Sequence, residues 1–474
     1  MTWTRASPLL LVVLLPVSAR AQEATGTTRE KHLEDELRDV KARLERVEEE
    51  LRAHGIAPVA TPTAAVPGPG APRIDGGQRA GDSHEPGAGS AGPSRQEPGT
   101  PEEVVGNVLT NPVVTTGIGN VELHGSMLMN YVWNFNEPSN KRIGVNRFRL
   151  DDSDHNTFEI TWAKLGFARP VSGKNDWDAG GRLELAAGRL AQLTLSLDRN
   201  FLFNEVFNVA QAYVDGQIPT PWGNPILVRL GRSYSWFGVE SLDVPLNPNF
   251  SLSYLFNYTP FTTTGISIGC DIALGFRYTQ YVVNGWDVVI DNNDAKTFGG
   301  QLAWRWADPR TTIAFEWIVG PEQNNDNHDY RAEIELDLAF EPIPGTQLFG
   351  VLQYGQEDHS TVVSPTPRRL GRGKWSGALV TYRQSFYEVR KGLDRFAFAV
   401  RLVLFRDQGG PRTGVDQGLV DVTATAEVHF TEYMRLGVEY RRDNSSQDHV
   451  FSGRRGALSR EAQDTFSLDA TLQF

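Results

Sequence analysis

Gly265-Ile266-Ser267-Ile268-Gly269 has the spacing of a nucleophile elbow. That motif lifts a serine on a sharp strand-to-helix turn and needs a base and an acid further along the chain. Here the residues after Gly269 continue a two-residue alternation and nothing helical follows, so an ordinary strand is the better reading. Two acidic and amide clusters, Asp291-Asn292-Asn293-Asp294 and Asn324 to Asp329, invite a calcium reading. The first lacks the Gly and the distal Glu of an EF-hand loop. Asn and Asp are also good turn formers, so plain loop chemistry is preferred there.

A third set of chemical residues is more extensive. Arg229, Arg277, Arg305, Glu316, Arg331, Glu333, Glu335, Arg401, Glu427, Arg435, Glu439 and Arg441 share one parity of segments whose other parity is apolar. Rings of such charges along a water-filled channel govern which ions pass. Both signs occur, so no preference for anions or cations follows. The segment 234–262 carries Glu240, Asp243, Asn247 and Asn249. It is either a constriction folded into such a channel or an external flap, and the residues leave both open.

The elements that would position these groups are β-strands. Side chains of a strand alternate between faces. Tyr330, Ala332, Ile334, Leu336, Leu338 and Phe340 oppose Arg331, Glu333, Glu335 and Asp337; Val420, Val422, Ala424, Ala426 and Val428 oppose Asp421, Thr423, Thr425 and Glu427. Many segments run to ten residues or more, the length a tilted strand needs to cross a bilayer. Aromatic residues near segment ends (Trp133, Phe135, Trp306, Trp375, Phe405, Phe430) suit interfacial girdles. The expected fold is all-β, a transmembrane antiparallel barrel of about 16 strands, with 14 to 18 allowed, between residues 105 and 474. Short connections such as Ala307–Arg310 alternate with long ones such as 136–156 and 234–259. The stretch 264–283 reads either as one strand or as two joined at Gly269-Cys270-Asp271; an even strand count favours the turn.

The last strand is the most regular. Phe466, Leu468, Ala470, Leu472 and Phe474 alternate with Thr465, Ser467, Asp469, Thr471 and Gln473. Phe466, Leu468, Leu472 and Phe474 resemble the insertion signal that barrel-assembly machinery reads.

At the other end, Arg5 precedes the apolar run Pro8–Val17, and Ala19-Arg20-Ala21 has a small-x-small cleavage pattern. Residues 1–21 therefore read as a signal peptide cut before Gln22. Residues 22–54 read as a coiled-coil helix, because Leu33, Leu37, Val40, Leu44, Val47 and Leu51 are spaced alternately four and three apart. Its seam would support a homotrimer through residues 33–51; the other reading is a solvated single helix or cell-wall spacer. Residues 55–104, rich in Pro, Gly and Ala, read as a disordered linker reaching on the order of 40 Å. No stretch after residue 21 has the ~20 apolar residues of a membrane helix. Cys270 is the only cysteine, which excludes an internal disulfide framework. A net charge of −12 argues against a nucleic-acid partner.

Asn134-Phe135-Asn136, His155-Asn156-Thr157-Phe158-Glu159, Gly231-Arg232, Gly238-Val239-Glu240, Asn284-Gly285-Trp286-Asp287 and Asp291-Asn292-Asn293 with Lys296 occur in an order that resembles the OmpL-like β-barrel porins. The resemblance implies an outer-membrane channel; the coiled coil and linker are not carried by it. The expected protein is a porin of the bacterial outer membrane, a passive diffusion channel for small hydrophilic solutes, with its N-terminal segment periplasmic. It is no enzyme and carries no cofactor. The alternative is a non-transporting barrel that tethers through its coiled coil to the cell wall or a partner. A barrel lipase would need Ser267 against a histidine on the lipid face, whereas His124 and His429 have inward parity.

Overall fold

The structure is a computed structural model. It describes residues 113–474 except 117–118, 139–145, 192–206, 308–309, 360, 363–367, 370, 387, 391–392, 395, 432 and 455–457. The expected signal peptide, coiled coil and linker lie outside the described residues.

Alternation of apolar and polar side chains yields long strands, and each pairs antiparallel with the next across connections that are alternately short and long. They are β1 (Gly119–Asn134), β2 (Thr157–Arg169), β3 (Asp178–Ala187), β4 (Phe207–Ile218), β5 (Ile226–Tyr234), β6 (Thr262–Asp271), β7 (Phe276–Val283) and β8 (Thr297–Ala307). The second half comprises β9 (Arg310–Pro321), β10 (Tyr330–Ile343), β11 (Thr346–Asp358), β12 (Arg372–Ser385), β13 (Phe396–Gln408), β14 (Gln417–His429), β15 (Met434–Ser445) and β16 (Ala462–Gln473). β16 pairs with β1 from Ser126–Gln473 to Asn134–Thr465 and closes the barrel. Closure leaves no unpaired sheet edge, the condition for spanning lipid with strands. The short strand Val113–Thr116 folds back on the start of β1.

Phe474 completes the seam. Its N–H donates to the Gly125 carbonyl at 2.9 Å, and the Gly125 N–H donates to its carbonyl at 2.8 Å. A side chain at Gly125 would collide with the Phe474 ring, its Cβ falling 2.5 Å from Cζ. The terminal aromatic residue is thus seated on the first strand.

The two faces of the wall match the parity expectation. Along β10, Ile334, Leu336 and Leu338 are 46, 44 and 37% exposed, while Glu333, Glu335 and Asp337 are 1, 2 and 6% exposed. Apolar groups face outward, where lipid takes the place of water, and charges turn inward.

Three expectations need correction. The β6–β7 turn lies at Ala273–Phe276, not at Gly269-Cys270-Asp271. Gly269 is extended and pairs with Leu227 and Thr279. Leu274 and Gly275 have φ of 54° and 82°, both positive as a type I′ hairpin turn requires. Cross-strand partners such as Cys270 and Tyr278 have the same parity, so alternation runs unbroken through the turn and hides it. Second, Trp375 and Phe405 do not belong to an outer girdle. They are 1 and 3% exposed and face inward, whereas Phe135, Trp306 and Phe430 are exposed on the outside.

Third, the interior is not a uniformly aqueous lumen. The 235–261 connection enters the barrel, and its Trp236, Phe237, Val239, Tyr254 and Leu255 pack with inward-facing Ile318, Phe349, Val351, Trp375, Leu379, Val403 and Phe405. Phe250, Leu252 and Phe256 join a second apolar cluster with Leu128 and Trp162. A loop this rich in apolar side chains gains by leaving water, and the barrel interior is where it can do so.

Candidate functional site

A segment folded into a barrel loses water from its own backbone polar groups, which must find partners inside. Within residues 235–261 only a short 3₁₀ turn, Val244–Leu246, and one helical turn, α1 (Tyr254–Asn257), satisfy some of them locally. Many of the others are met by inward side chains of the wall, most of them charged. Glu439 accepts from the Phe250 N–H (2.7 Å) and the Ser251 N–H (3.0 Å). Arg441 donates to the Leu252 carbonyl (2.7 Å) and Arg435 to that of Pro245 (2.9 Å). Glu333 accepts from Thr259 Oγ1 (2.7 Å) and from Trp375 Nε1 (2.6 Å). Glu316 accepts from the Gly238 N–H (3.3 Å). Gln353 donates both to the Leu255 carbonyl (3.3 Å) and to Glu335 (3.0 Å).

The four loop residues singled out in the sequence are all buried inside the barrel; three of them hold the loop to the wall and Asn247 holds it to itself. Glu240 pairs with Arg401 at 2.8 Å. Asp243 pairs with Lys164 at 2.5 Å and accepts from Ser126 Oγ at 2.5 Å. Asn249 donates to Thr425 Oγ1 at 2.7 Å. Asn247 closes a loop on Ser241, accepting its N–H (2.8 Å) and donating to its carbonyl (2.9 Å). Because Ser126, Lys164, Arg401 and Glu439 sit near the middle of their strands, the loop is held near mid-height.

The loop is also the end of a chain of alternating charges. Glu240 meets Arg401, which lies 2.9 Å from Asp421; Asp421 lies 3.2 Å from Arg441; Arg441 lies 2.9 Å from Asp443. Asp443 in turn pairs with Arg149 of the 135–156 connection at 2.5 Å. Every link is buried, so each charge is desolvated and each depends on its neighbour.

The other inward residues have more local roles. Arg229 pairs with Asp215 (2.9 Å), Arg331 with Glu357 (2.7 Å) and Arg277 with Asp271 (3.5 Å). Glu427 holds Arg383 (2.6 Å) and Arg435 (2.8 Å). Arg229, Arg305 and Arg383, together with Arg182, which sequence reasoning passed over, remain half-buried toward the short-turn end of the barrel. The sequence also left Lys164 and Asp443 unmentioned and, although it set Asp421 on the polar face, did not count it among the channel charges; inward parity was the available signal for all three.

The remaining motifs resolve into structure. Ser267 lies within β6, on its inward side, opposite Arg229 and Tyr281, with no strand-to-helix turn. The two amide-rich loops bind each other: Asn292 donates to Asn324 Oδ1 (2.9 Å), and Asn327 Oδ1 accepts from Asp294 N–H (2.9 Å).

Asp287, in the connection after β7, accepts the N–H groups of Phe261 (2.8 Å) and Thr262 (2.7 Å) at the point where the loop rejoins the wall. Burial pushes its carboxyl from 3.8 up to about 6, against the opposing pull of those two donors. Folding then favours the protonated acid, so its contribution to stability falls as pH rises from about 4 to about 6 and is constant above. The melting-temperature difference between wild type and Asp287→Asn should change across that window and level off above it; a constant difference would contradict this assignment.

A closed 16-stranded barrel, apolar outside and charged inside, with a loop folded into its interior, defines a porin-type barrel. The family model described as "Putative beta-barrel porin-2, OmpL-like" matches residues 120–474, and the chain belongs to that family. It is therefore a β-barrel of the bacterial outer membrane. Among solved structures, OmpF of Salmonella typhi in complex with daunomycin is 14% identical with a TM-score of 0.50, covering 77% of this chain and 100% of its own. An anion-selective porin from Comamonas acidovorans is 14% identical with a TM-score of 0.48, covering 75% of this chain and 99% of its own. The outer membrane channel DcaP of Acinetobacter baumannii is 13% identical with a TM-score of 0.47, covering 76% and 99%. No curated protein sequence matches the chain.

Proposed function

We propose that the protein is a passive diffusion channel for small hydrophilic solutes and that residues 235–261 set its narrowest section. The observation that supports this is the loop itself, carried to mid-height and clamped there by Glu240, Asp243 and Asn249. Within this reading the half-buried Arg182, Arg229, Arg305 and Arg383 face the solute on the short-turn side. Glu316, Glu333, Arg401, Arg435, Glu439 and Arg441 act on it indirectly, by holding the loop. Residues 1–21 are removed on export, residues 22–54 associate three chains, and 55–104 tether them to the barrel. Phe466, Leu468, Leu472 and Phe474 present the last strand to the assembly machinery.

Single-channel recording of the purified protein in a planar bilayer tests the central claim. Discrete conductance steps are expected, and they should grow severalfold when residues 241–256 are replaced by a short Gly/Ser link. A correctly folded but electrically silent barrel, in both forms, would overturn the channel.

A further inference from the structure

The inward loop runs the full width of the barrel. Near its start the Gly238 N–H is bonded to Glu316 on β9; further along, Asp243 is bonded to Ser126 on β1 and to Lys164 on β2. In a barrel of sixteen strands β1 and β9 stand half the circumference apart. Apolar packing repeats the pattern. Trp236 and Phe237 share a cluster with Ile318 of β9, whereas Leu252 and Phe256 share another with Leu128 of β1 and Trp162 of β2.

A loop that only narrowed a pore would lie along one side and leave the facing wall wet. Strands β3 to β7 complete the circle, and they are not wet at this level. Glu184, Gln211, Ser233, Thr263 and Val283, one inward residue from each, are at most 9% exposed. Gln301 of β8, Leu379 of β12, Asp469 of β16 and Leu128 of β1 are as dry, and so is an inward residue on every strand between them. The wetter part of the interior, around half-buried Arg182, Arg229 and Arg305, lies on the short-turn side and ends against the loop. Water needs accessible side chains along its whole path, and here the described residues form a dry septum across it.

We propose that the channel rests shut, with residues 236–260 as a gate that must leave the barrel axis before a solute can pass. This gate presupposes the conducting barrel proposed above. Displacing the loop would return its apolar side chains, and those of the wall beneath them, to water. It would also separate the buried pairs Glu240–Arg401 and Asp243–Lys164, so the shut form is the resting one. The neck of the loop is built to stay while the rest moves. The Ser235 N–H donates to the Phe261 carbonyl (2.9 Å), which continues the β5–β6 ladder by one step. Gly238 follows at φ 88°, in a region of backbone space open to glycine, and can serve as the hinge.

The test records the full chain, folded in detergent and inserted into a planar bilayer, with Cys270→Ser removing its native thiol. On that background Asn249→Cys/Thr425→Cys joins the loop to β14, where the two native side chains already meet at 2.7 Å. The parent should be shut for most of the record and open in bursts. The oxidised pair should lose its openings, and reduction should restore them. A parent that stands open for most of the record would overturn the gate. So would an oxidised pair, free of titratable thiol, that conducts as its reduced form does. The barrel with residues 241–256 replaced by a Gly/Ser link should stay open throughout. If that barrel were folded and silent, the failure would be of the channel itself, which keeps the two outcomes apart.

Discussion

Arg401→Met should lower the stability of the folded barrel by about 3–5 kcal/mol, the usual cost of breaking a buried ion pair from one side. The Arg401 guanidinium is fully buried between Glu240 of the inward loop and Asp421 of β14, and it also donates to the Ser251 carbonyl (2.5 Å). Removing it leaves Glu240 buried without its cation and Asp421 held by Arg441 alone, which is worse than never having had the charges. Neutralising both in the same chain, as Arg401→Met/Glu240→Gln/Asp421→Asn, should recover most of the loss. Equilibrium unfolding in urea from lipid vesicles measures both differences. If the single variant matched wild type, the buried charge chain would not hold the loop. Because Glu240 anchors the loop, the same single variant should also show noisier conductance than wild type.

Leu336→Arg should cost about 2–4 kcal/mol, as charged residues at mid-bilayer do on the lipid face of a barrel. Leu336 lies at the centre of β10, is 44% exposed, and is flanked by Phe315 and Leu352, so an arginine there would have only hydrocarbon around it. Glu335→Arg is the control one residue away. Its side chain enters a group of carboxylates, Glu316 and Asp337, and should cost clearly less. Comparable losses at both positions would contradict the assignment of faces.

Parity made the wall legible. The outward set Ile334, Leu336 and Leu338 and the inward set Glu333, Glu335 and Asp337 follow from two-residue alternation alone. The same rule, applied to Phe405, puts it inward, since Arg401 and Phe405 share a parity. Trp375 and Phe405 suit a girdle only by lying near strand ends, where aromatic residues of barrels usually meet the membrane interface. The inward loop was legible in part. Its Trp236, Phe237, Val239, Leu242, Leu252, Tyr254, Leu255 and Phe256 are too apolar for a connection left in water, a stronger signal than the four polar residues noted in it.

What the sequence determined by itself is the class of solvent each residue meets, because strand geometry alternates side chains without reference to anything distant. That was enough for an outer-membrane barrel of about 16 strands, 14 to 18 allowed, with a charged inner face and an aromatic residue ending its last strand. Which charges meet was decided only by the tertiary structure. Glu240 finds Arg401 across 161 positions, and Asn249 finds Thr425 across 176. Register, barrel closure and the path of one loop bring such residues together, and none of these is a local property of the chain.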